Sequence, residues 1–240
     1  EIQKIIKTYN LNDEWNQNII KDVTKLKDKK IKKSSSKRKN LKKHPFVTID
    51  GNDAKDFDDA VYCEKVEKNW KLYVAIADVA HFVKNNSNID KEAKRRGTST
   101  YFPGYVIPML PEILSNELCS LKPNEDKFTV VAEIIVNNFG KIKSYKFYNA
   151  IINSSARLTY GQVEGFLKNK SLIKDKDVTK NLNSLFKLYK ILKNAREKRN
   201  AINFDTQEFS FVINENNEIN GIKNDLRLES QKIIEECMII

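Results

Sequence analysis

The sequence predicts an α+β fold, and three observations point there. Short runs rich in Val, Ile, Tyr and Phe crowd the first part of the chain, and helical periodicity takes over afterwards. A length of 240 residues is also enough to bury a sizeable core without disulfide help. No internal repeat is visible.

Taken in order, residues 2–20 look partly helical, with Trp15 as a buried anchor. Residues 21–43 hold eleven Lys and one Arg against two Asp, so all but about one of the chain's +11 charges lie in this stretch. Ser34-Ser35-Ser36 interrupts it and apolar periodicity stops at Val23, Leu26 and Ile31, so it reads as a mobile, extended basic linker. Two meanings stay open: a solvated loop in a lysine-biased chain (36 Lys to 7 Arg), or an electrostatic contact to a polyanion. Beyond His44-Pro45 the pattern changes to strands, at residues 46–49, 60–66 and 70–79. Residues 72–77 are apolar on both faces, as in a central strand. Residues 128–136 and 142–152 form a hairpin around Asn137-Asn138-Phe139-Gly140. Val178, Leu182, Leu185, Tyr189 and Leu192 then repeat at four-three-four-three spacing, which places them on one helical face. A short strand at 209–213 and an amphipathic helix close the chain.

Several classes are disfavoured. No apolar run approaches the roughly 18 residues that a membrane span needs. Glu1-Ile2-Gln3-Lys4 is not a secretory signal. Cys63, Cys119 and Cys237 have neither framework nor zinc-finger spacing, so they read as small core residues in a reducing compartment, the cytoplasm. The chain does not begin with Met, and its last helix stops on an apolar run without a capping Gly, Asn or Pro, so a piece of a longer polypeptide is expected.

The most informative segment carries Asp50, Asp53, Asp56, Asp58 and Asp59, five Asp in ten residues, wedged between two apolar strands. Carboxylates this dense repel one another, and burying them is costly unless cations neutralise them. An all-oxygen set without nearby His or Cys favours a hard ion such as Mg²⁺. A calcium loop starting at Asp50 fails, because its sixth and twelfth positions hold Lys55 and Val61; one starting at Asp53 fails at Asp58. An acidic surface loop is the bland alternative.

This segment resembles the signature of the RNase II/RNase R family of 3′→5′ exoribonucleases, whose catalytic domain is called RNB. The family's D-x5-D-x-D-D core is matched by Asp50, Asp56, Asp58 and Asp59. Segments 70–83 (WKLYVAIADVAHFV), 96–121 (RGTSTYFPGYVIPMLPEILSNELCSL), 156–160 (ARLTY) and 234–238 (IEECM) are similar to RNB segments in the same order, so the resemblance covers residues 44–240 and looks most like the bacterial ribonuclease R branch. It implies an RNB catalytic domain with a central mixed or antiparallel sheet flanked by helices, truncated at its C-terminus. Residues 1–43 would be the tail of the region that follows the family's cold-shock domains.

The resemblance further implies processive hydrolysis of single-stranded RNA from its 3′ end to nucleoside 5′-monophosphates, assisted by Mg²⁺, in the two-ion manner. Asp50, Asp56 and Asp59 fall on the family's metal-ligand positions, and Asp58 on the aspartate most critical for turnover. Asp53 lies between motif positions and carries no role. Tyr101 matches a tyrosine that stacks on a base near the 3′ end; by itself, an aromatic before Phe-Pro-Gly reads as core. Glu235-Glu236-Cys237-Met238 would bring a carboxylate toward the metals. Further functional residues of the family, an arginine and a glutamate among them, lie downstream of Ile240, and its S1 domain is likewise not in this chain. Arg95 and Arg96 read as a solvated helix end, His44 as a surface residue, and His81 as a satisfied, partly buried one. No membrane partner and no obligate oligomer are indicated. The rival reading is a non-catalytic RNA-binding fragment or a degenerate RNB protein.

Overall fold

Alternating side chains build a sheet that closes on itself. The structure, a computed structural model, describes residues 2–27, 37–201, 208–214 and 219–240. In chain order the elements are α1 (Ile2–Thr8), α2 (Gln17–Lys27), β1 (Lys39–Asn40), β2 (Phe46–Asp50), β3 (Asp59–Val66), β4 (Asn69–Ala77), α3 (Val79–Phe82), α4 (Asn88–Arg96), β5 (Thr100–Phe102) and β6 (Tyr105–Ile107). A π-helical turn (Ile113–Leu118), β7 (Asp126–Asn137), β8 (Ile142–Thr159), α5 (Tyr160–Lys168), a 3₁₀ turn (Lys170–Leu172), α6 (Lys176–Lys198), β9 (Glu208–Ile213), β10 (Ile219–Asp225) and α7 (Glu229–Ile239) follow. The strands and helices expected from the sequence are present. The chain divides into two units, one from residues 31–78, 119–205 and 227–240, the other from 1–30, 79–118 and 206–226.

In the first unit β2, β3, β4, β7 and β8 pair antiparallel in that order, and β8 then pairs parallel with β2, which closes the ring. β8 manages both pairings because it is 18 residues long: its first part lies along β7, its last residues along β2. One strand face packs under α5, α6 and α7, with Val47, Val61, Leu72, Val136, Phe166, Leu185 and Ile233 all buried. Each such side chain contributes roughly 1.5–3 kcal/mol of burial. The α6 stripe Val178, Leu182, Leu185, Tyr189 and Leu192 is the buried face of that helix. The three cysteines are buried and unpaired with one another.

Asn181 ties α6 to the sheet. It is 1% exposed, its Oδ1 accepts from Cys63 N–H at 2.9 Å, and its Nδ2 donates to the carbonyls of Pro45 and Val61 at 2.9 and 3.1 Å. A polar residue in the middle of an apolar stripe is tolerable only because every one of those groups is satisfied.

The basic stretch departs from the expectation of an extended linker. Its first residues, to Lys27, belong to α2, and residues 28–36, including Ser34-Ser35-Ser36, lie outside the described residues. Its last residues are held in the closed sheet. Arg38 pairs with Asp78 and lies 4.4 Å above the Phe128 ring, Lys39 pairs with Glu133 at 3.2 Å, and Lys42 with Asp126 at 3.0 Å. His44, expected at the surface, is half-buried and stacked 5.0 Å from Tyr62, with burial lowering its pKa. His81 is partly buried as expected.

In the second unit Trp15 is half-buried rather than fully so, and the guanidinium of Arg96 covers its ring at 3.7 Å. Arg96 is not a solvated helix end: its side chain is 4% exposed, bound to Glu92 and to the carbonyls of Glu14 and Pro108. Arg95 is exposed and grips Glu92 from the other side, and together they hold that carboxyl down at about 2.

Asn181→Leu should lower stability by about 3 kcal/mol in urea denaturation, since each buried polar group left unpaired costs roughly 1–3 kcal/mol. A loss near zero would show that the three bonds are dispensable.

Candidate active site

The acidic cluster sits where β2 ends and β3 begins. Asp50 is the last residue of β2 and Asp59 the first of β3, with residues 51–58 looping between them. Asp50 is half-exposed, Asp59 more deeply set, and Asp53, Asp56 and Asp58 are exposed. Adjacent strands therefore hold two of the carboxylates at one edge, and the loop presents the others to solvent.

The electrostatics follow from this crowding. Burial, then Asp58 and Asp50, push the Asp59 carboxyl up to about 7. Burial also raises Asp58, with Asp56 and Asp50 adding to it against the pull of its own backbone N–H. The Asp59 Oδ2 is buried and has no hydrogen-bond partner. An orphaned carboxylate oxygen among mutually repelling acids is the donor chemistry that a hard cation satisfies, and bound charge would draw those acids back to their ionised forms. The residues fit Mg²⁺ in kind. Among the described residues no three His, Cys, Asp or Glu stand close enough together to hold an ion as they are placed.

The loop does not hang free. Phe57 is buried, its N–H donates to Ser120 Oγ at 3.1 Å, and its carbonyl accepts from Leu121 N–H at 2.7 Å. The same Ser120 hydroxyl donates to the Lys55 carbonyl at 2.8 Å. On the other side Arg157 Nη2 donates to the carbonyls of Gly51 and Asn52 at 3.0 and 2.6 Å, while its guanidinium lies 5.3 Å from the Phe57 ring. Ala77 N–H donates to the Asp58 carbonyl at 2.8 Å. These anchors fix the backbone between the four motif aspartates.

Arg157 and Ser120 lie inside the motif segments noted in the sequence, yet they have no individual signal there, because the loop they hold is 63 to 106 residues away. Tyr160 is a third such residue. Asp50 pairs in register with Thr159, which caps α5 through a reciprocal bond with Gln162, so Tyr160 emerges beside the cluster. Burial, followed by Asp50, Asp59 and Asp58, pushes its hydroxyl up to about 12, so it stays a neutral donor.

Helix α7 brings Cys237 toward Asp59; burial and that carboxylate push the thiol up to about 12. Glu235 and Glu236 of the same helix are engaged by arginines. Arg196 Nη1 lies 2.9 Å from Glu236 and 3.4 Å from Glu235, which also pairs with Arg227. Tyr101 belongs to the other unit. It lies on the β5–β6 hairpin, whose Pro103-Gly104 turn needs the positive φ of Gly104, and the residue is 72% exposed, so it is no core residue.

Comparison with known proteins gives a consistent outcome. The family model described as the RNB domain matches residues 38–240, beginning where Arg38 and Lys39 join the closed sheet. Ribonuclease R of Vibrio parahaemolyticus is 44% identical over 243 residues, covering 100% of this chain and 29% of the relative. Ribonuclease R of Escherichia coli K12 is 44% identical over 238 residues, covering 98% of this chain and 29% of the relative. The structure of Mycoplasma genitalium RNase R in complex with ribose-methylated single-stranded RNA superposes with a TM-score of 0.94 at 38% identity, covering 99% of this chain and 37% of that one. The chain thus spans about a third of the proteins it matches.

Arg157→Ala should leave the secondary structure intact by circular dichroism while loosening residues 51–58. Amide hydrogen exchange across residues 51–58 should quicken by about tenfold, the scale of losing roughly 1–2 kcal/mol of hydrogen bonding to the loop. Unchanged exchange would show that Ser120 and Phe57 suffice to hold the loop.

Proposed function

The chain belongs to the RNB domain family, and from that premise we propose that its parent protein is a 3′→5′ exoribonuclease that hydrolyses single-stranded RNA to nucleoside 5′-monophosphates, processively and with Mg²⁺. The observation that carries the proposal is the set of four aspartates at the β2–β3 edge, one with a buried, unpartnered oxygen. Crowded acids of which one is buried without a partner are unfavourable in the absence of cations, which supports the reading that the set binds them.

In this reading Asp50, Asp56 and Asp59 hold the ions, two by family resemblance. Bound Mg²⁺ supplies charge neutralisation and Lewis acidity for phosphodiester hydrolysis. Asp58, exposed at the loop's end beside Asp59, is the aspartate on which turnover depends. Arg157 and Ser120 keep the loop in place, and the neutral Tyr160 hydroxyl is a hydrogen-bond donor at the rim of the acids. Tyr101 offers an exposed ring on which any base can stack, which suits an enzyme that accepts every nucleotide. Residues 44–240 are then the N-terminal part of the RNB catalytic domain, and 1–43 precede it. No helix among the described residues is long and apolar enough to cross a membrane. We assign the parent to the cytoplasm, where unpaired thiols such as the three here stay reduced.

The test uses the longest natural chain that carries this segment, with 5′-labelled single-stranded RNA. A ladder shortening from the 3′ end should form with Mg²⁺, vanish in EDTA, and vanish in Asp58→Asn although that variant still binds RNA. Full activity in Asp58→Asn would sink the assignment. Intact RNA in every lane, with binding retained, would make the chain part of an RNA-binding protein instead. Separately, Tyr101→Ala should weaken RNA binding by about 5- to 100-fold, as expected for the loss of roughly 1–3 kcal/mol of base stacking. Unchanged affinity would remove Tyr101 from the RNA path.

A further inference from the structure

The end of the sheet opposite the aspartates carries a concentration of unbalanced positive charge. A cavity of about 580 Å³ is walled there by Lys65, Lys174, Lys176, Lys180 and Lys187 around Trp70. Asp59 opens β3 and Lys65 lies near its other end, so about 20 Å of strand separate this cavity from the acidic cluster.

Some lysines of the unit are held by acids, Lys39 and Lys146 by Glu133, Lys42 by Asp126, Lys127 by Glu125 and Lys168 by Glu164, and others, such as Lys55 and Lys122, are in no ion pair among the described residues. What sets this wall apart is that five lysines line a single cavity. The cavity wall contains no carboxylate, and among the described residues none of its five lysines is in an ion pair. Three acids adjoin these lysines in sequence: Asp175 caps the first N–H groups of α6, Glu64 accepts from the Tyr62 hydroxyl at 3.0 Å, and Asp177 is not part of the cavity wall. Trp70 is 5% exposed, its Nε1 donating to Asn138 at 3.1 Å and its ring lying 5.4 Å from Lys65 Nζ, so it fixes the wall and offers no face to a base.

We propose that this lysine-walled cavity is a second RNA-binding site, which grips successive phosphates of the RNA backbone away from the end being hydrolysed. Lys176, Lys180 and Lys187 spread over about 16 Å of helix, longer than one phosphate group and suited to a run of them. With no exposed aromatic face in the wall, the site reads no bases; its affinity is electrostatic and salt-dependent. The proposal rests on the reading of the parent as an RNA-degrading enzyme and adds a place where its substrate is held.

The experiment compares the full-length parent with a Lys174→Ala, Lys180→Ala, Lys187→Ala variant. Binding is measured in EDTA by fluorescence anisotropy, with a long single-stranded RNA and with a short oligonucleotide too short to bridge the two ends. Affinity for the long RNA should fall about tenfold, and the slope of log K against log salt should shrink by about 2, each phosphate contact on a single strand being worth about 0.7. Binding and Mg²⁺-dependent hydrolysis of the short RNA should not change. Replacing the same three residues by Arg should restore the wild-type slope, which separates charge from folding. Unchanged affinity and slope for the long RNA would mean that the rest of the polypeptide neutralises these lysines, and would overturn the proposal, as would an equal loss for both RNAs. A protein that shows the length-dependent loss yet cleaves neither RNA would uphold this site while removing the exonuclease reading.

Discussion

β8 pairs with β7 along its first part and with β2 along its last residues, and the candidate site depends on that double pairing. The parallel register sets Thr159 against Asp50, so the end of β8 arrives beside the end of β2. From there it supplies Arg157 to the loop, Thr159 as the cap of α5, and Tyr160 to the rim of the acids. A strand that stopped after its hairpin with β7 would leave the aspartate loop without its arginine and the sheet with an open edge.

Closure also explains how the unit bears its charge. At one edge carboxylates are concentrated and left unbalanced, with Asp59 raised by burial and by its neighbours. Inside the sheet, charge is carefully matched. Burial opposes ionisation of Glu133, but Tyr148, Lys146 and Lys39 together hold its carboxyl below the usual range. At the far end five lysines line a wall that holds no carboxylate. A chain whose fold asked only for stability would have little reason to separate the two signs along its strands, since like charges brought together are destabilising.

The strands and the long helix are legible because their signals are local. The short runs of β-branched and aromatic residues in β2 and β3, continuous apolar character in β4, and four-three spacing in α6 each follow from which faces are covered. The D-x5-D-x-D-D pattern is legible for the same reason: its residues lie within one loop and its flanking strand ends. The basic stretch is misread where its partners are distant. Nothing local says that Arg38 meets Asp78, or that Lys39 meets Glu133 94 residues away. His44 and Arg96 look like surface groups until Tyr62 and Trp15 cover them.

By itself, then, the sequence determined the order and type of the main elements, the acidic cluster and its hard-oxygen chemistry, because each depends on residues close together in the chain. Tertiary structure alone decided that the sheet closes, that Arg157, Ser120 and Tyr160 serve the aspartate loop, that Glu235 and Glu236 turn to Arg196 and Arg227, and that five lysines share one wall. Those outcomes rest on contacts between segments tens of residues apart. Their geometry exists only once strand register has been set by burying one face of every strand at the same time.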